Sequence, residues 1–247
     1  MSKHTQKILY EDNHLLVIHK ASGVLSQDDG SGRPDVLTLM KEDLKIRYQK
    51  PGDVFLGLVH RLDFVVPGIM VLAKTSKAAS RLSREIRERR FEKRYLALCE
   101  GIVEPMEGTF EDMLQKDKAL NKSYTHKGVK RKDSASLGPA KASILHYKVL
   151  KHFKDKTLVE IDLVSGRSHQ IRVQFASRGL PLLGDTKYGA KPGDLGTSNE
   201  EIALLAYKLI FKHPTRDEVM HLTTTIPEDA FWQEVRLLDL ELEEKLK

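Results

Sequence analysis

The chain has 247 residues, with 41 Lys and Arg against 35 Asp and Glu, a formal net charge of +6 and charged residues at 31%. The single cysteine, Cys99, excludes an intramolecular disulfide framework, and no apolar run approaches the ~20 residues of a membrane-spanning helix. Met1 to Lys7 are polar and lack the pattern of a signal peptide, so a reducing cytoplasm is the expected compartment, and the modest basic excess permits an anionic partner without demanding one.

Residues 8 to 18 predict a hairpin, because two β-rich apolar runs flank the turn chemistry of Glu11-Asp12-Asn13. Residues 21 to 34 read as loop, and Asp35 is placed to cap a helix running to about Arg47. Pro51-Gly52-Asp53 is a turn, and residues 54 to 60 and 68 to 73 read as strands. The clearest helix covers residues 76 to 90, with Ser76 as N-cap, Ala79, Leu82 and Ile86 on one face and Lys77, Arg81 and Arg84 opposite. Arg94 to Leu98 reads as a strand closed by Gly101. Residues 115 to 141 scatter Lys116, Lys118, Lys122, Lys127, Lys130, Arg131, Lys132 and Lys141 among Ser, Asn, Gly and Pro, which predicts a basic, irregular insertion. Strands follow over 141 to 151 and 156 to 164, then a helix over 168 to 178 ending at Gly179, a loop over 190 to 200, a strand-like segment over 202 to 211, and a helical tail over 229 to 247. No internal repeat or interdomain linker is visible, and a single domain is expected; a monomer is also expected.

Elimination narrows the chemistry. The ten His show no metal-ligand spacing, and there is no phosphate-binding glycine loop and no Gly-x-Ser-x-Gly elbow. Asp28-Asp29-Gly30 lacks the downstream Glu of a calcium loop. No metal and no cofactor is therefore expected. Two segments set charge inside apolar sequence: Val59-His60-Arg61-Leu62-Asp63-Phe64-Val65-Val66-Pro67-Gly68, and Ser165-Gly166-Arg167-Ser168-His169-Gln170-Ile171-Arg172-Val173. Buried charges need partners, so either segment alone reads as a structural Arg–Asp ion pair.

Taken together, five segments resemble the RluA-type family of pseudouridine synthases. His60-Arg61-Leu62-Asp63 with Gly68 and Val71 to Thr75 is similar to the family signature, and Ile8 to Gly23 to its opening hairpin with a Lys-x-x-Gly turn, here His19-Lys20-Ala21-Ser22-Gly23. Lys93 to Ala97 resembles the strand that carries an active-site tyrosine. Gly166 to Arg172 resembles the Gly-Arg-Thr-His-Gln-Ile-Arg motif, and Pro181 to Asp185 the segment after it. The likeness covers roughly residues 8 to 225. The chain departs from the pattern at His19, Ala21, Phe64, Pro67 and Ser168. Phe64 and Pro67 alter the shape of the signature loop and so bear on the choice of RNA.

The resemblance implies a mixed α+β fold, with a long, mostly antiparallel sheet, flanking helices and a central RNA-binding cleft. It implies an isomerase that converts uridine in ribosomal or transfer RNA to pseudouridine, with Asp63 as the catalytic carboxylate, Arg167 as its counter-cation and Tyr95 stacking on the base. Ile171 would form the apolar floor under the base, and Arg61 would fill the stack vacated by the flipped nucleotide. His60 would orient the turn, while Lys77, Arg81, Arg84, Lys93, Arg94 and the basic insertion would contact phosphates. Family members often carry an N-terminal S4-type module. Seven residues precede the first hairpin, so none is expected here. The competing class is a non-catalytic RNA-binding or RNA-folding protein on the same scaffold. Retention of Asp63 argues against it, since binding an anion does not call for a carboxylate.

Overall fold

A computed structural model of the chain describes residues 6–126, 136–192 and 201–237. In chain order the elements are β1 (Lys7–Glu11), β2 (Leu15–Lys20), α1 (Val36–Arg47), β3 (Gly57–Leu58), β4 (Gly68–Ala73), α2 (Ser76–Arg87) and β5 (Glu92–Glu100). They continue with β6 (Glu107–Asp117), β7 (Lys122–Thr125), β8 (Lys141–His152), β9 (Lys156–Asp162), α3 (Gln170–Ala176), β10 (Leu204–Lys212), β11 (Val219–Thr223) and α4 (Gln233–Arg236). The architecture is α+β, with mostly antiparallel strands and four α-helices among the described residues. None of those helices is long and apolar enough to cross a membrane. The chain divides into two compact units, Met1–Lys93 with Leu205–Thr225 and Arg94–Leu204 with Ile226–Lys247.

The first unit is built on β4, whose six residues Gly-Ile-Met-Val-Leu-Ala are all buried. A strand covered on both faces reads as a continuous apolar run, which is why its limits coincide with those the sequence predicts. β2 pairs antiparallel along one edge, from Leu15 opposite Ala73 to Lys20 opposite Gly68. The other edge is shared: β10 joins in parallel at Gly68, and β3 joins antiparallel at Leu72 and Ala73. Residues 54 to 60 therefore supply two strand residues rather than seven. The apolar side of α2, Ala78 and Leu82, packs onto Val17, Ile69, Val71, Leu209 and Phe211. Phe91 closes this core by stacking on Phe211, with centroids 4.9 Å apart. α1 is capped by Asp35, whose carboxylate accepts the Thr38 N–H, as the sequence predicts. α2 is capped by Thr75, one residue before the expected Ser76, because Thr75 has the extended backbone and its hydroxyl accepts the Ala78 N–H.

The second unit orders its strands β5-β9-β8-β6-β7, all antiparallel. Part of the segment expected to be irregular is in fact a hairpin. β6 runs on to Asp117, the chain turns through Asn121 at φ 45°, and β7 returns with Lys122 opposite Asp117. Leu114, Asp117 and Ser123 are buried, while Lys116 and Lys122 are partly exposed and Lys118 exposed, and these lysines dominate the composition. Residues 127–135 of the expected insertion lie outside the described residues. α3 is shorter than expected, because His169 adopts a left-handed φ of 54° and the helix starts only at Gln170. At the C-terminal end, Asp229 caps a single 3₁₀ turn, Ala230–Trp232, that leads into α4, and residues 238–247 of the expected tail are outside the described residues.

Gly68 is the point where the backbone of β4 meets β10. Its φ is +133°, and a Cβ there would stand 2.2 Å from the Ala206 carbonyl oxygen. The Ala206 N–H donates to the Pro67 carbonyl at 3.1 Å, so the strands cannot separate without losing that bond. We expect Gly68→Ala to cost more than about 3 kcal/mol in urea or thermal unfolding. A loss below about 1 kcal/mol would show that the approach is not tight.

Candidate active site

The segment Val59 to Pro67 links β3 to β4 and carries His60, Arg61 and Asp63. A connection of this length leaves its peptide groups without strand partners, and buried peptide groups must be satisfied. Side chains and backbone of residues 20 to 26 satisfy them. Ser26 accepts the Leu62 N–H at 3.0 Å and donates its hydroxyl to the Leu62 carbonyl at 2.8 Å. The Phe64 carbonyl accepts from the Gly23 N–H at 3.0 Å and from Lys20 Nζ at 3.1 Å. Ser22 Oγ donates to the Val65 carbonyl at 3.0 Å, and the Val66 N–H closes a turn on the Asp63 carbonyl at 3.0 Å. The backbone on both sides of the partly buried Asp63 is thereby fixed.

Lys20 is fully buried and donates to three carbonyls, those of Ala21 at 3.0 Å, Val24 at 2.8 Å and Phe64. Burial pushes its ammonium down to about 7, against the opposing pull of the Asp63 carboxylate. Three carbonyl acceptors also match the three donors of an ammonium group. Lys20, Ser22 and Ser26 carried no role in the sequence reading. The available signal was a lysine two residues after the apolar run Leu15 to Ile18, at the strand end that pairs with Gly68.

His60 is held inside. Its Nε2 accepts the Val71 N–H at 3.0 Å, which requires the neutral ring, and its ring lies 5.6 Å from that of Phe91. Burial, with Lys93 adding like charge, pushes His60 down to about 3. His60 thus ties the loop to the middle of β4. Arg61 is exposed and has no ion pair among the described residues, and the neighbouring Phe64 ring carries the Arg33 guanidinium 4.8 Å from its centroid.

Lys77, Arg81 and Arg84 also belong to the first unit, but the fold does not bring them to Asp63. Arg81 donates to the Pro214 carbonyl, beyond the far end of β10, whereas the Asp63 loop adjoins that strand's start at Ala206.

In the second unit, Tyr95 lies buried in β5 opposite Ile161, and Arg94 stands 3.6 Å from Glu160. Arg167 sits on an exposed turn that buried Gln170 organises. Gln170 Oε1 accepts the Arg167 N–H at 3.1 Å and the Ser165 hydroxyl at 2.8 Å, while its Nε2 donates to the Ile144 carbonyl at 3.1 Å. The Arg167 Nε donates to the Ala142 carbonyl at 3.2 Å. Ser123 on β7 ties the hairpin to this turn, donating its hydroxyl to the Ser168 carbonyl at 2.7 Å and its N–H to the Tyr188 hydroxyl at 2.8 Å. Tyr188 in turn reaches His169 Nδ1 at 2.8 Å. Ile171 is buried on α3. Arg172 makes a two-pronged pair with Asp185, both contacts 2.7 Å and both residues buried, with the Tyr188 ring 5.1 Å from the guanidinium.

Two solved human structures share this fold: RNA Pseudouridylate Synthase Domain Containing 4, with a TM-score of 0.73 and 25% identity over 96% of this chain and 93% of that one, and RNA Pseudouridylate Synthase Domain Containing 1, with a TM-score of 0.70 and 23% identity over 98% and 96%. The family model for RNA pseudouridylate synthase matches residues 14–177, a window that contains His60 to Asp63, Tyr95 and Gly166 to Arg172, and the chain belongs to that family. It is 32% identical to the Ribosomal large subunit pseudouridine synthase D of Nitrosomonas europaea and 33% identical to the Ribosomal large subunit pseudouridine synthase C of Buchnera aphidicola. These alignments cover 94% and 89% of this chain and 66% of each relative, so the chain spans about two thirds of their length.

Two outcomes follow. Between 6.5 and about 3 the unfolded chain binds a proton at His60 that the folded protein refuses, so this stability is full above about 6.5 and is lost as pH falls towards 3. We expect wild type to lose about 2 kcal/mol more than His60→Gln between pH 7.5 and pH 5 in urea titrations. Equal losses would mean that His60 protonates freely in the folded protein. Arg172→Met leaves the Asp185 carboxylate buried and alone, and should cost about 3–5 kcal/mol, whereas Arg172→Met with Asp185→Leu should recover most of that. A double variant as unstable as the single one would contradict the assignment.

Proposed function

We propose that the chain isomerises uridine to pseudouridine in large-subunit ribosomal RNA, with Asp63 as the catalytic carboxylate. The observation that carries the reading is the loop at 62 to 65, whose carbonyls are taken up by Lys20, Ser22, Gly23 and Ser26 so that one aspartate is held on a fixed backbone. Such pre-positioning serves a reaction more than it serves binding, because misplacement of a reacting group is costly in rate. Family membership supports the reaction class, and the similarity to two ribosomal large subunit pseudouridine synthases supports ribosomal rather than transfer RNA.

In this reaction the C1′–N1 bond breaks, the uracil turns, C1′ joins C5, the C5 proton leaves, and N1 takes up a proton, so the composition is unchanged. No electrons are gained or lost overall. An ionised Asp63 serves as nucleophile or as base. Tyr95 presents an aromatic face to the base and a hydroxyl for the proton, Ile171 gives an apolar floor, and Arg167 serves as the counter-cation of the carboxylate. Arg61, exposed and unpaired among the described residues, suits the gap left by a flipped nucleotide.

The hairpin β6–β7 suits RNA phosphates. Burial and the nearby Arg172, Lys122 and Lys116 all push the Lys187 ammonium down, with only Asp185 opposing. Cations crowded in this way gain from an anionic ligand.

Asp63→Asn tests the reading. Single-turnover assays on an unmodified transcript of large-subunit ribosomal RNA should show a loss of about 10³-fold or more, with RNA affinity within about threefold of wild type. Full activity in the variant would remove Asp63 from the mechanism. A wild-type protein that binds the transcript tightly but forms no pseudouridine would establish the competing, non-catalytic reading.

A further inference from the structure

A cleft of about 640 Å³ opens in the first unit between α2 and the turn that joins β10 to β11. Arg81, Arg84 and Arg90 line one wall, and Lys212 and Arg216 the other, against two carboxylates, Glu85 and Asp217. The carboxylates are committed: Glu85 pairs with Arg90 at 2.7 Å, and Asp217 with Lys212 at 2.7 Å. Arg216 reaches Asp12 at 3.0 Å and Glu218 at 3.5 Å. Arg81 donates across the cleft to the Pro214 carbonyl, which fixes the guanidinium without neutralising it. Arg84 is exposed and has no ion pair among the described residues. Two guanidinium charges therefore remain uncompensated in a concave wall, and the sequence behind them, from Lys77 to Lys93, holds seven basic and three acidic residues.

The cleft is built for binding rather than chemistry. Its buried His213 uses Nδ1 to accept the N–H groups of Thr215 and Arg216, at 3.2 and 3.0 Å, so Nε2 carries the proton and donates to Asp12 at 2.9 Å. Neither ring nitrogen is left for a ligand. Asp12 also accepts the His14 and Leu15 N–H groups, each at 2.7 Å. This network locks the β1–β2 turn to the β10–β11 turn and sets the shape of the wall.

Position along the fold indicates the occupant. β10 touches the Asp63 loop at its start, where Ala206 bonds to Pro67, and meets the cleft at its end, at Lys212. The separation is about 20 Å at ~3.3 Å per strand residue, or about six nucleotides of a stacked strand at ~3.4 Å each. We propose that the cleft is a second phosphate-binding site for the same RNA, gripping its backbone about six nucleotides from the uridine that Asp63 receives. The proposal rests on the reading of RNA as substrate and adds where a distant part of that RNA is held.

The test pairs Arg81→Glu/Arg84→Glu with Lys45→Glu/Lys50→Glu, a control on α1 and the residues after it that changes net charge equally. The probe is an unmodified transcript of large-subunit ribosomal RNA. The cleft variant should bind it about tenfold more weakly near 100 mM salt, and its slope of log affinity against log salt should fall by about 2, one for each lost phosphate contact. The control should shift affinity less than about threefold. Equal slopes in the two variants would overturn the proposal. Failure of the underlying reading would look different, since wild type would then form no pseudouridine whatever the slopes.

Discussion

The carbonyl groups of Leu62, Phe64 and Val65 must find partners, and this requirement organises the first unit. A loop that exposes a carboxylate for work cannot also pair its backbone with a neighbouring strand. The segment from Lys20 to Ser26 supplies the missing donors: an ammonium, two hydroxyls and a glycine N–H. Lys20 is at the end of β2 that lies opposite Gly68, and Gly68 opens β4 directly after the loop. The pairing of β2 with β4 therefore delivers the clamp to the loop. A lysine is suited to the task because its ammonium can serve three carbonyls at once, whereas a hydroxyl donates only one bond. The cost is a buried charge, which the Asp63 carboxylate offsets.

The second unit solves the same problem with an amide. Gln170 holds the Arg167 turn through both ends of its side chain, and Ser123 joins that turn to the basic hairpin. Both units thus spend buried polar groups on short irregular segments rather than on regular elements. Buried polar networks stabilise only when every member is satisfied, so they mark the places where geometry matters most.

The legible parts of the sequence were those with local signals. The continuous apolar run Gly68 to Ala73 gave the limits of β4, and Asp35 gave the start of α1. The motifs around His60 to Asp63 and Gly166 to Arg172 pointed to the family before any geometry was known. The hairpin β6–β7 was hidden because its lysines and a polar turn dominate the composition around the buried Leu114 and Ser123. The clamp was hidden for another reason. Lys20 meets Phe64 across 44 residues of chain, and Arg81 meets Pro214 across 133, and no local pattern encodes either contact.

The most direct measurement is to incubate the purified protein with an unmodified transcript of large-subunit ribosomal RNA and map pseudouridine at single-nucleotide resolution. A small set of discrete uridines converted by wild type, and none by Asp63→Asn, is the expected result. Conversion that survives in Asp63→Asn, or no conversion by wild type under conditions where it binds the transcript, would contradict the assignment of a fixed aspartate to uridine isomerisation.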